Sequence, residues 1–162
     1  MIKYDTVHKG EEDVVKALWK TEQVALGIPY MSDIVDYIES ENLFCIRDNE
    51  KIVAYCTYYV MKTKPIVRVE ALIVAPEYRG KGYSKQLIYK CYIENNNLID
   101  KLGYNFVAES KEGVPNNTFY DRISCNMTRS QKKTCVIRTY ELDTNKVSKW
   151  GPDMWLQGGN ND

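Results

Sequence analysis

The chain has 162 residues, 44% of them apolar and 27% charged, enough for one domain with a sizeable core. Its 22 basic and 22 acidic side chains balance, so no global charge draws it to nucleic acid or an acidic membrane. His8 is the only histidine, the five cysteines are scattered with no C-x-x-C pair, residues 1–6 carry no apolar run, and no stretch has the length of a membrane span. The expectation is a cytoplasmic protein with reduced thiols and without a secretory leader, a metal site or a serine–histidine triad.

Residues 2–7 have the composition of a short first strand. Val14, Val15, Leu18, Trp19 and Ala25 recur near one face of a helix over residues 11–26, and Gly27 and Pro29 supply its stop. Ser32 reads as the N-cap of a second helix, with Ile34, Val35 and Ile38 on its apolar face and Asp33 and Asp36 in its first turn. Three strands follow, over residues 43–47, 52–61 and 66–74, rich in β-branched and aromatic residues and separated by turns, which predicts an antiparallel meander.

A helical pattern then covers residues 84–102, with Leu87, Ile88, Cys91, Leu98, Ile99 and Leu102 facing inward and Gly103 as its stop; the Asn95-Asn96-Asn97 run weakens it intrinsically. Residues 104–110 form a further strand. Pro115 opens a short helix through Phe119, Tyr120 and Ile123, and residues 126–130 and 134–142 pair as a final hairpin. This order predicts a mixed α/β layer fold over residues 1–143. Residues 144–162 read as a tail, though Trp150, Met154, Trp155 and Leu156 are apolar enough to fold back onto the domain or a partner.

The segment that carries chemistry runs from Leu72 to Leu87: a strand ends, a loop with Gly80 and Gly82 follows, and a helix begins. Successive backbone N–H groups at such a junction point into one concavity, and the helix N-terminus adds partial positive charge, so the loop suits a diphosphate-like anion. Glycines let phosphates approach the backbone, and Arg79 and Lys81 add charge-assisted bonds. The loop lacks both the G-K-[ST] ending of the P-loop and the full G-x-G-x-x-G fingerprint.

Arg79-x-x-Gly82-x-Ser84 resembles the acyl-CoA loop of the GNAT family of N-acetyltransferases, Arg/Gln-x-x-Gly-x-Gly/Ala, with Ser84 in the small-residue position. The lead-in Leu72, Val74 and Pro76 resembles that family's fourth strand and its exit, and the order of elements matches from Ile2 to Leu142. The resemblance implies a mostly antiparallel sheet flanked by helices, with splayed central strands. It implies acetyl-CoA as co-substrate, its pantetheine along Leu72, Ile73 and Val74, and its pyrophosphate on the amides of Arg79, Gly80, Lys81, Gly82, Tyr83 and Ser84. A backbone N–H near Ile73 or Val74 would polarise the thioester carbonyl, and a primary amine would attack directly.

An ammonium with a lysine-like pKa near ~10.4 needs a base before it can attack. Glu70 shares a face with Leu72 and Val74 if alternation is strict, and is either that base or a surface glutamate paired with Arg68; Glu109 is a further carboxylate nearby. The resemblance of Phe119-Tyr120-Asp121-Arg122 to the family's last-helix motif implies Tyr120 as the acid toward the departing thiolate, the alternative being a core tyrosine. The family often has asparagine at the position of Gly113; Asn116 and Asn117 either replace it in cofactor contact or cap the helix start. Trp19, Glu22, Tyr30 and Asp33 are either an amine pocket or packing and capping residues. Two other functions stand beside the acetyltransferase: a non-catalytic acyl-CoA-binding module, and a nucleic-acid-associated module using Arg129, Lys132, Lys133 and Arg138. The last strands and the tail leave room for pairing with a second copy.

Overall fold

The computed structural model describes residues 1–22 and 31–151. Its centre is a seven-stranded sheet with β1 (Ile2–Thr6), β2 (Leu43–Asp48), β3 (Lys51–Met61), β4 (Ile66–Val74), β5 (Asn105–Lys111), β6 (Ser124–Gln131) and β7 (Val136–Leu142). The spatial order is β1-β2-β3-β4-β5-β7-β6. Every neighbouring pair is antiparallel except β4 and β5, which are parallel. Five helices, α1 (Glu12–Glu22), α2 (Met31–Glu39), α3 (Tyr83–Glu94), α4 (Asn116–Ile123) and α5 (Thr144–Val147), complete the described fold.

The sheet has two covered faces. On one, Leu87, Ile88 and Cys91 of α3 and Phe119, Tyr120 and Ile123 of α4 pack on Cys56, Val67, Val69, Leu72, Phe106 and Ala108. On the other, Val15 of α1 and Ile34 of α2 pack on Cys45, Tyr55, Ala71 and Ile73. Burying an aliphatic side chain of this kind contributes roughly 1.5–3 kcal/mol. The Tyr55 hydroxyl donates to the Val15 carbonyl at 3.2 Å, fixing α1 to the sheet through a buried polar group that is satisfied.

The helix predicted over residues 84–102 is two pieces. The side-chain amide of Asn95 donates to the Cys91 carbonyl at 2.8 Å, the acceptor that the next helical turn needs, and the helix ends at Glu94. A single π-helical turn over Asn97–Lys101 follows. Leu102, expected to face inward, is therefore 67% exposed, and Val14 on α1 is exposed as well. α2 begins at Met31, so Ser32 lies inside it rather than capping it. Gly27 and Pro29 lie outside the described residues.

After β7 the chain turns back. Asp143 caps α5 by accepting from the Asn145 amide at 3.0 Å, Val147 is fully buried in the larger core, and the Trp150 ring packs on Phe119 with centroids 6.5 Å apart. Met154, Trp155 and Leu156 lie outside the described residues. Among the described residues no helix is long and apolar enough to cross a membrane, and no group of His, Cys, Asp or Glu could hold a metal ion. Arg129 and Arg138, half of the cationic cluster read from the sequence, both bond Glu112, at 2.6 and 2.9 Å.

Candidate active site

β4 and β5 run side by side only from Ile66/Asn105 to Val69/Ala108. Past that point β4 stays with β3 to Val74, while β5 stays with β7 to Lys111, and a wedge opens between them. The parting coincides with a β-bulge. Thr57 pairs with Ala71 and Tyr58 with Val69, which leaves Glu70 as the extra residue on β4.

The bulge reassigns the faces. Strict alternation places Glu70 with Leu72 and Val74, but Val67, Val69, Leu72 and Val74 belong to the α3/α4 core, whereas Ala71 and Ile73 belong to the α1/α2 core. Glu70 lies on the α1/α2 side, where its carboxylate accepts from the hydroxyl of Tyr37 on α2. It also accepts from Arg68 at 2.9 Å, and Arg68 reaches Glu109 at 3.4 Å. The expected pairing with Arg68 is thus present, and Tyr37 is a partner that sequence reasoning missed. Only the position of Tyr37 on the sheet-facing side of α2, beside Ile34 and Ile38, hinted at it.

Backbone direction on β4 follows from one bond. The Ala75 amide donates to the Val53 carbonyl at 2.8 Å, so residues 75, 73 and 71 address β3, and the N–H and C=O groups of Leu72 and Val74 address the wedge. Ile73 is thereby corrected as a backbone contact for a cofactor: its main chain serves β3 and its side chain is buried in the α1/α2 core. The Leu72 carbonyl accepts from the Asn116 side chain at 2.8 Å, and the Val74 carbonyl from the Arg79 guanidinium at 3.3 Å.

Beyond Val74 a short 3-10 turn, Pro76–Tyr78, leads into the glycine loop. Gly80 and Gly82 have φ of 78° and 82°, the left-handed region that favours glycine. Gly82 is the N-cap of α3 and brings no side chain to its first-turn amides, so these donors stay available to an anion. Arg79, Ser84, Asn116, Phe119 and Arg122 line a cleft of about 130 Å³ beside Val74. Lys81 turns away from it, its ammonium 5.0 Å from the Tyr78 ring centroid, and the Tyr83 side chain is buried beside that ring. These two residues offer backbone amides rather than side chains to the loop's concavity.

Tyr120 is 1% exposed, against the rings of Phe119 and Tyr140 on the α3/α4 side. Burial raises its phenol well above the ordinary value, with the thiols of Cys56 and Cys91 adding to the effect. Asn117 does not face the cleft. Its amide donates to the Ser110 hydroxyl and the Lys111 carbonyl at 2.6 and 3.0 Å, and its oxygen accepts from the Gly113 amide at 2.7 Å. It pins the β5–α4 loop, correcting its reading as a cofactor contact. The side chains of Trp19, Glu22, Tyr30 and Asp33 lie outside those described.

The parting of β4 and β5 thus has the glycine loop, the open N-terminus of α3 and the core that buries the Tyr120 phenol on one face of the sheet, and the hydrogen-bonded Glu70 carboxylate on the other.

A family model described as the acetyltransferase (GNAT) family matches residues 11–110, more than half of the chain. A search of curated protein sequences returns no match. Among solved structures, the fold is similar to N-acetylglutamate synthase from Neisseria gonorrhoeae, complexed with coenzyme A and N-acetyl-glutamate, with a TM-score of 0.66 and 12% identity over 88% of this chain. This chain spans 35% of that enzyme's chain. It is also similar to an N-acetyltransferase from Staphylococcus aureus Mu50, with a TM-score of 0.64 and 14% identity over 88% of this chain and 98% of that one. A third likeness is to an N-acetyltransferase from Thermoplasma acidophilum in complex with coenzyme A, with a TM-score of 0.56 and 12% identity over 87% of this chain and 99% of that one.

Proposed function

The chain belongs to the GNAT acetyltransferase family, and from that premise we propose that it transfers an acetyl group from acetyl-CoA to a primary amine by direct attack. The observation that supports this reading is the parting of β4 and β5 at Val69/Ala108, immediately ahead of an uncapped, glycine-bearing helix N-terminus. When bound, acetyl-CoA supplies a thioester whose carbonyl carbon the amine attacks, giving an amide and a thiol.

In this reading the amides from Arg79 to Ser84 hold the pyrophosphate and the Arg79 guanidinium adds charge at the mouth of the cleft. The wedge-facing groups of Leu72 and Val74 hold the pantetheine and place an N–H donor at the thioester oxygen. Glu70 takes the proton released by the attacking nitrogen, from the face opposite the cradle. Tyr37 and Arg68 position its carboxylate.

Tyr120 acts as a hydrogen-bond donor at the departing sulfur. A phenol raised well above its ordinary value does not surrender its proton to a thiolate whose conjugate acid lies near ~8.5, so its effect is electrostatic. Thiol release from acetyl-CoA in the presence of a panel of primary amines tests the proposal. Turnover with at least one amine, abolished by Glu70→Gln, is expected; thiol release that no amine stimulates contradicts it.

A further inference from the structure

The chain is neutral as a whole but not part by part. Of its 22 acids and 22 lysines and arginines, the segment between β1 and β2, residues 7–42, carries eight acids and three lysines. Between Lys20 and Arg47 there is no lysine or arginine, while Glu22, Asp33, Asp36, Glu39 and Glu41 fall in that interval. This segment forms α1 and α2, which pack on the face of the sheet that carries Glu70. A field of one sign over one face draws ligands of the opposite sign to it.

On that face two carboxylates share one cation. Arg68 on β4 bonds Glu70 on its own strand at 2.9 Å and reaches Glu109 on β5 at 3.4 Å, so one positive charge spans the parting of the strands against two negative ones. A second, independent feature lies beside them. Thr57 on β3 pairs with Ala71, next to the bulged Glu70, and alternates with Cys56 and Tyr58 of the α3/α4 core, so its side chain points to the Glu70 face. Thr57 is 0% exposed, and among the described residues nothing bonds its hydroxyl. A buried hydroxyl without a partner costs about 1–3 kcal/mol, which a ligand's donor recovers. Thr57 lacks a donor and the two carboxylates lack a second cation; an alkylammonium brings both.

We propose that the acceptor is a linear diamine or polyamine. Its reacting nitrogen lies at Glu70 and the Thr57 hydroxyl, and its second ammonium lies at Glu109, where it takes over part of the role of Arg68. The inference rests on the amine-transfer reading above and narrows it. One acetyl-CoA and one alkylammonium give the N-acetyl amine and coenzyme A. The C–N bond forms and the C–S bond breaks; one proton of the nitrogen leaves through Glu70 to solvent, and another ends on the departing thiolate.

The test is the rate of thiol release from acetyl-CoA with 1,5-diaminopentane, 1-aminopentane and lysine, which share a five-carbon amine chain and differ in their other charges. The diamine is expected to exceed the monoamine about tenfold or more in kcat/KM, through KM, and lysine, whose carboxylate meets the same acids, to fall well below the diamine. Added salt should narrow the gap between diamine and monoamine, since charge holds the second ammonium. Glu109→Gln should bring the diamine to within about threefold of the monoamine. Thr57→Val, nearly the same in shape, should raise KM for both amines in a protein at least as stable as the native chain. Equal turnover of diamine and monoamine, a diamine preference that survives Glu109→Gln, or unchanged kinetics in Thr57→Val overturns the proposal and leaves the amine-transfer reading standing. Turnover with no amine, by a chain that binds acetyl-CoA, overturns both.

Discussion

The side-chain amide of Asn116 donates to the main-chain carbonyl of Leu72 at 2.8 Å, bridging α4 to β4 across the wedge. It satisfies an acceptor that the proposed reading assigns to a pantetheine amide. A ligand that pairs with this carbonyl either displaces the Asn116 amide or shares the oxygen with it.

Asn116→Ala is therefore expected to act with opposite signs on stability and affinity. Losing a hydrogen bond of this kind costs about 1 kcal/mol of folding free energy, and removing the internal competitor tightens coenzyme A binding by up to about fivefold. Urea unfolding and calorimetry together check both signs. Weaker binding by the variant means that Asn116 contacts the ligand rather than competing with it.

Glu70→Gln keeps the shape of the side chain and a hydrogen-bond partner for Tyr37 while removing the proposed base. Its kcat is expected to fall by about 10²-fold or more, with the coenzyme A Kd unchanged, because the carboxylate lies on the face away from the cradle. A matched loss in coenzyme binding contradicts the separation of the two faces.

Tyr120→Phe probes the phenol. Burial lifts its pKa, so the protonated form prevails up to and beyond its ordinary value near ~10. The variant is expected to lower kcat by the same factor at pH 7 and at pH 9.5. A deficit that disappears at the higher pH would show a phenol that ionises normally.

Arg47 is 2% exposed and bonds Glu11 at 2.6 and 2.8 Å and Asp5 at 2.8 Å, joining the start of α1 to β1 and β2. The Arg47 hydrogen bonds hold the Glu11 carboxyl below its ordinary range. A lowered folded value means that this stabilisation is complete above the unfolded value near ~4.3 and disappears as pH falls through the folded one. Glu11→Gln is expected to cost about 1–3 kcal/mol at pH 7, and the gap to the native chain should close below pH 4. Thermal unfolding at pH 7 and pH 3 measures it; a gap that persists at pH 3 assigns the effect to packing.

The glycine loop was legible as a strand-to-helix junction because its pattern is local: two glycines and the end of an apolar strand lie within a few residues from Val74 to Ser84. The face of Glu70 was not legible, because the bulge depends on how Thr57 and Tyr58 pair with a distant strand. Adjacent asparagines look alike in sequence, yet Asn116 crosses the wedge while Asn117 folds onto its own loop. The break at Asn95 was foreshadowed by the asparagine run, but its cause is one side chain competing for the Cys91 carbonyl.

Calorimetric titration of the folded chain with acetyl-CoA, alongside NAD, tests the central claim most directly. The expected result is saturable binding of acetyl-CoA at one site, weakened by Gly82→Val at the cap of α3, and no binding of NAD. A folded chain that binds NAD equally well, or neither ligand, contradicts the assignment of the wedge and its loop to an acyl-CoA.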